Sequence, residues 1–221
     1  MSQLTLNVEG PHHNSPVFTA GKALAEAKAA MILLHGRGAG ADDILALAEE
    51  FDQTEFAYIA PEAVDNTWYP NSFLAPLASN EPWLSSALAV IPTLLAQIEA
   101  AGIPAERIVL LGFSQGACLT LESVARNARR YGAAIGLSGG LIGPAGTSRN
   151  YKGSLAGTPV FLGCSDRDAH IPRSRVEESG VILRNLGGEV DARIYPNMGH
   201  TVNRDEIGAV KNILNRLVMA S

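Results

Sequence analysis

Ser114 lies in Gly112-Phe113-Ser114-Gln115-Gly116, directly after the apolar run "RIVLLG" and before the helix-forming stretch "GACLTLESVAR". A serine held in a sharp strand-to-helix turn can act as a nucleophile, and such a turn admits only small residues two before and two after it. Gly112 and Gly116 meet that demand, and Ala117 adds room. A glycine-rich turn with an incidental serine would account for the same five residues. The remaining chemistry therefore has to be found elsewhere in the chain.

A serine hydroxyl needs a base. In this strand-turn-helix arrangement the acid and then the histidine follow the serine, which leaves His170 and His200 of the five histidines. His200 falls in "PNMGHTVNRDE", between a strand-like run and the last helical pattern, and a loop at a strand's carboxyl end can carry it over the serine. His170 stands beside the acid candidates and leaves itself no orienting partner. Those candidates are Asp166 and Asp168 in "LGCSDRDAHIP", residues 162–172, and spacing alone does not choose between them. An oxyanion needs backbone N–H donors from the residue after the nucleophile and from a loop after an earlier strand. Gln115 supplies the first, and Arg37 in "LLHGRGAG" the second, its side chain turned away from the pocket or covering it. His35 precedes the serine and reads as a structural hydrogen-bonding residue.

Trp68, Tyr69, Phe73 and Trp83 lie in or beside the unpatterned stretch 62–82, and Met198 precedes His200 by two residues. They are candidate walls of a substrate pocket. The alternative for the aromatics is satellite core beneath a long loop, and for the methionine, gap-filling.

Elements able to position these groups are visible as apolar runs at 29–35, 56–61, 107–113, 132–139, 159–165 and 191–196. They are continuously apolar rather than alternating, which suits strands covered on both faces. Residues 4–10 could add an antiparallel edge strand. Helical patterns fall at 83–101, ahead of Gly102; from a Ser174/Glu177 capping box to Gly187-Gly188; and over Ile207, Val210, Leu214, Leu217 and Val218 behind Asn203 and Glu206. Strand and helix alternate, predicting a three-layer α/β sandwich with a mostly parallel sheet. No linker or repeat divides the chain, so residues 1–221 are expected to form one domain, with loops at 62–82, covering the pocket, and 141–158.

A net charge of -5 argues against a nucleic-acid partner. Cys118 and Cys164 form neither a CxxC nor a zinc-ligand spacing and read as buried free thiols, so neither a metal nor a cofactor is expected. No apolar run suggests a membrane-spanning length, and "MSQLTLNVEG" lacks the basic-then-hydrophobic pattern of a signal peptide. A cytoplasmic protein without integral membrane association is the expectation. A homodimer is compatible with the sequence, which does not fix oligomeric state.

Taken together, "LLHGRGAGADDIL", "GFSQGA", "SDRDAHIP" and "NMGH" resemble the carboxylesterase/phospholipase/thioesterase family of small α/β-hydrolases, to which the acyl-protein thioesterases belong. The likeness runs from about residue 30 to the end of the chain, with the motifs in the family's order. It implies the α/β-hydrolase fold and a Ser-His-Asp triad of Ser114, His200 and Asp168, the aspartate lying four residues before Pro172 with Ile171 in place of the usual valine. It likewise supports the Arg37 and Gln115 amides as the oxyanion hole. "HGRGA" departs from the thioesterases' "HGLGD", and "NTWYPNSFLAP" is closer to bacterial members described as phospholipases or carboxylesterases. The implied activity is hydrolysis of small-molecule carboxylic esters, thioesters or lysophospholipids through an acyl-enzyme. An acyltransferase or perhydrolase would use the same triad. A dienelactone-hydrolase-like enzyme would carry cysteine at the turn, and a non-catalytic ligand-binding relative typically lacks a triad member.

Overall fold

The apolar runs at 29–35, 56–61, 107–113, 132–139 and 159–165 become strands buried on both faces. The run at 191–196 instead falls in an edge strand with no buried residue, because no further strand covers its outer side. A computed structural model describes residues 4–219. In chain order it contains β1 (Val17–Gly21), β2 (Ala29–Leu34), α1 (Ala41–Glu49), β3 (Phe56–Pro61), α2 (Trp83–Ala100) and β4 (Ile108–Phe113). These are followed by α3 (Gln115–Arg126), β5 (Ala133–Leu137), β6 (Pro159–Ser165), α4 (Arg173–Asn185), β7 (Glu189–Tyr195) and α5 (Arg204–Met219). The strands form one sheet in the order β1-β3-β2-β4-β5-β6-β7. β1 is antiparallel to β3 and every other pairing is parallel.

Alternate residues of the central strands feed two cores. Ile32 and Leu34 of β2 pack with α2, α3 and α4 through Leu94, Leu119 and Val176. Met31 and Leu33 pack with α1 and α5 through Ile44, Val210 and Ile213. The result is the predicted three-layer sandwich, with the carboxyl ends of β4, β6 and β7 at one sheet edge, where loops can converge.

Four features differ from the sequence-based expectations. Residues 4–10 form no strand. Leu6 and Val8 are buried, and Thr5 exchanges hydrogen bonds with the Gln97 side chain on α2, so the apolar spacing there reflects packing on a helix. The antiparallel edge strand is β1 instead. Helix α1 was not predicted; Asp43 caps it by accepting from the Gly40 N–H at 2.7 Å. Helix α4 starts at Arg173 behind Pro172, so Ser174 is inside it and caps nothing, while Glu177 pairs with the Arg173 guanidinium at 2.7 Å. Finally, α2 is long and apolar enough to cross a membrane, with a mean hydropathy of 1.3. Its Leu84, Val90, Ile91, Leu94 and Ile98 are buried within the sheet's larger core.

Candidate active site

The turn between β4 and α3 explains its two glycines sterically. A Cβ on Gly112 would overlap the Gly116 carbonyl, and one on Gly116 would overlap the Leu34 carbonyl of β2. Ser114 itself adopts φ 55°, ψ −117°. That left-handed φ is a strained conformation for a side-chain-bearing residue, costing about 1–3 kcal/mol. Helix α3 and the sheet hold it there: the Ser114 N–H donates to the Leu137 carbonyl at 2.9 Å, and its carbonyl accepts from Cys118 N–H at 3.0 Å.

The structure brings Ser114, His200 and Asp168 together across 86 residues of chain. His200 Nε2 lies 2.8 Å from Ser114 Oγ, and His200 Nδ1 lies 2.7 Å from Asp168 Oδ2. The Asp168 side chain is wholly buried, while that of His200 is 22% exposed. Burial acts to raise the Asp168 pKa, but the His200 hydrogen bond and the His170 and Ile171 N–H donors outweigh it and hold the carboxyl below its ordinary value. An Asp168 that stays ionised fixes the proton on Nδ1, which leaves Nε2 to accept from the serine. Asp166, the other candidate, is occupied elsewhere: its carboxylate accepts the Asn197 N–H at 2.8 Å. Together with the Ser165 hydroxyl, which donates to the Met198 carbonyl, it anchors the loop that carries His200. The far end of that loop is a capping box, in which Asn203 and Glu206 exchange bonds of 2.8 and 2.9 Å. Glu206 is wholly buried, and burial pushes its carboxyl up to about 7.

The Gln115 N–H is the first of helix α3, where intrahelical acceptors are lacking, and the Arg37 N–H lies in the loop after β2. Among the described residues neither donates to a protein acceptor. His35 takes the structural part expected of it. Its Nδ1 lies 2.7 Å from the Gly36 carbonyl, its Nε2 accepts from Ala63 N–H at 3.0 Å, and burial lowers its pKa, keeping the ring neutral.

Beside Ser114 opens a cleft of about 370 Å³. Tyr69, Phe73, Cys118 and Ile171 contribute apolar wall, and Arg37 and His170 line it too. Of the candidate pocket residues, Tyr69 and Phe73 are thus at the cleft, whereas Trp68, Trp83 and Met198 do not line it. Trp68 is 0% exposed because its indole N–H donates to the His35 carbonyl at 3.0 Å, drawing the ring into the core. Trp83 opens α2 and packs edge-on against His12, with ring centroids 5.5 Å apart. Met198 faces the last helix, its sulfur accepting from Asn203 Nδ2 at 2.9 Å. Two neighbours of the histidine were not anticipated. The Phe113 and His170 rings sit 5.0 and 4.9 Å from the His200 ring. Their positions, one before the serine and two after the aspartate, were the available signal. Cys118 is a buried free thiol, with its pKa pushed up to about 12 by burial.

Residues 19–218 match the model of the phospholipase/carboxylesterase family. A phospholipase/carboxylesterase from Dyadobacter fermentans superposes with a TM-score of 0.89 at 48% identity, covering 91% of this chain and 97% of that one. Acyl-protein thioesterase 1 of Yarrowia lipolytica is 26% identical over 211 residues, 87% of this chain and 93% of the relative. Acyl-protein thioesterase 1 of Gibberella zeae is 33% identical over 117 residues, so the match spans about half of each chain, 52% and 50%.

Proposed function

We propose that this chain, which belongs to the phospholipase/carboxylesterase family of α/β-hydrolases, hydrolyses carboxylic esters and thioesters with Ser114 as nucleophile, His200 as base and Asp168 as the orienting acid. The observation that carries this reading is the unbroken relay from Ser114 Oγ to His200 Nε2 at 2.8 Å and from His200 Nδ1 to Asp168 Oδ2 at 2.7 Å.

As Ser114 Oγ attacks the acyl carbonyl, its proton passes to His200 Nε2. The imidazolium that forms is stabilised by the buried Asp168 carboxylate. Negative charge develops on the former carbonyl oxygen, where the Arg37 and Gln115 N–H groups and the amino end of α3 receive it. His200 then protonates the leaving alcohol or thiol. Water enters, gives its proton to the same nitrogen, and releases the acid from the acyl-enzyme. Tyr69 and Phe73 bound the space available to the substrate.

The reading is tested by kcat on p-nitrophenyl butyrate. Ser114→Ala is expected to lower it by about 10⁴–10⁶-fold, and a variant that hydrolyses near the wild-type rate rules the assignment out.

A further inference from the structure

The side chains of the two residues assigned to the oxyanion hole point to the same short segment. The Arg37 guanidinium donates through Nη1 to the Pro70 carbonyl at 2.9 Å, and through Nη2 to the Tyr69 and Asn71 carbonyls at 2.9 and 2.8 Å. The Gln115 side chain is buried and holds the adjoining peptides: its Oε1 accepts from Trp68 N–H at 2.9 Å and its Nε2 donates to the Tyr69 carbonyl at 2.8 Å. Residues 68–71 are therefore held by both, within a strap that begins at Asn66.

The loop that carries the Arg37 N–H is stitched to the same strap from its other side. Gly38 N–H donates to the Asn66 carbonyl at 2.8 Å, and Asn66 Nδ2 donates to the Ala39 carbonyl at 2.8 Å. Strap, loop and the first residue of α3 thus form one hydrogen-bonded body around the cleft.

The use of the guanidinium protons excludes the obvious alternative. A guanidinium grips a carboxylate or phosphate bidentately through Nη1 with Nη2, or through Nε with Nη2. Both arrangements need Nη2, and both of its protons are taken by the Tyr69 and Asn71 carbonyls. Arg37 lines the cleft, yet its fork is turned to the protein's own backbone.

We propose that Arg37 and Gln115 are positioning residues in their side chains as well as donors in their backbones, the strap 66–71 setting the spacing between their two N–H groups. This rests on the ester-hydrolase reading above. Loss of either side chain lets the strap and the Arg37 loop separate, so the donors no longer meet the developing oxyanion together. Displacement of this kind costs transition-state stabilisation and spares ground-state binding.

The test pairs Arg37→Met, Arg37→Lys and Gln115→Met with p-nitrophenyl butyrate kinetics and inhibition by 1,1,1-trifluorobutan-2-one. Ser114 Oγ adds to that ketone's carbonyl carbon, its proton moves to His200, and the carbonyl oxygen becomes an oxyanion in the hole. Each variant is expected to lose roughly ten- to a hundred-fold in kcat/KM, mainly in kcat, with the ketone's Ki rising by a similar factor. Lysine does not restore the rate, because an ammonium cannot bridge three carbonyls as the planar fork does. A rise in KM with Ki unchanged, full activity in Arg37→Lys, or failure of both methionine variants to fold overturns the proposal. If the wild type neither hydrolyses the ester nor binds the ketone, or if Ser114→Ala matches it, the hydrolase reading falls too. An active wild type with unaffected variants sinks only the strap.

Discussion

Gly163 on β6 and Glu206 on α5 are fitted to one another: a Cβ at Gly163 would overlap the Glu206 carboxyl, whose Oε1 has no hydrogen-bond partner among the described residues. The other oxygen caps the helix behind the His200 loop. A buried carboxyl with one unpartnered oxygen disfavours its own charge, which is why its pKa stands at about 7 against an ordinary 4.5.

That shift makes stability depend on pH, and the sign follows from proton counts. Between pH 4.5 and about 7 the folded protein keeps the Glu206 proton while the unfolded chain has lost it. Rising pH therefore favours unfolding across this window, by on the order of 3 kcal/mol in all, and the loss is complete above it. Glu206→Gln keeps an acceptor for Asn203 N–H and cannot ionise. Unfolding free energies from urea titrations at pH 5 and pH 8 are expected to differ in the wild type by roughly 2–3 kcal/mol more than in the variant. Equal differences in both would contradict the account.

The two aspartates of "SDRDAH" separate cleanly by partner. Asp168 faces His200, whereas Asp166 holds the Asn197 N–H. Asp168→Asn is expected to lower kcat by about 10⁴-fold, on the scale of an acid lost from such a triad. Asp166→Asn loosens only the loop and is expected to cost roughly ten-fold or less. Steady-state kinetics on one ester compares them, and the reverse ranking would move the acid to Asp166.

Trp68 and Phe73, alike in the sequence as pocket candidates, part company in the structure. Trp68→Ala empties a wholly buried site and is expected to cost about 3–5 kcal/mol of stability, with no change in the order of preferred acyl lengths. Phe73→Ala opens the cleft wall and is expected to raise kcat/KM for octanoate over butyrate esters several-fold. A panel of p-nitrophenyl esters with matched thermal melts distinguishes the two. A selectivity change in Trp68→Ala with none in Phe73→Ala would reverse the assignment.

What could be read from the sequence followed from how strongly each feature constrains neighbouring residue types. β2 and β3 were legible because every residue in them is buried, leaving unbroken apolar runs. β1 was not, since four of its five residues are exposed and its "VFTAG" carries no core signal. The serine turn was legible because its backbone excludes a Cβ at both flanking glycines. The choice between Asp166 and Asp168 came from resemblance, because both follow the same strand and only the fold shows which faces the histidine. Loop aromatics were hardest: a tryptophan's hydrogen bond to the His35 carbonyl decides whether it lines a cleft or a core, and no spacing encodes that bond.

The central claim is that Ser114 is an activated nucleophile, and covalent labelling reads it most directly. Incubation with a fluorophosphonate, followed by intact mass and peptide mapping, is expected to give one phosphonyl group per chain, on Ser114. Loss of ester hydrolysis should track its incorporation, and Ser114→Ala should take up none. A chain that hydrolyses esters while remaining unlabelled, or labelled at another residue with hydrolysis unchanged, would contradict it.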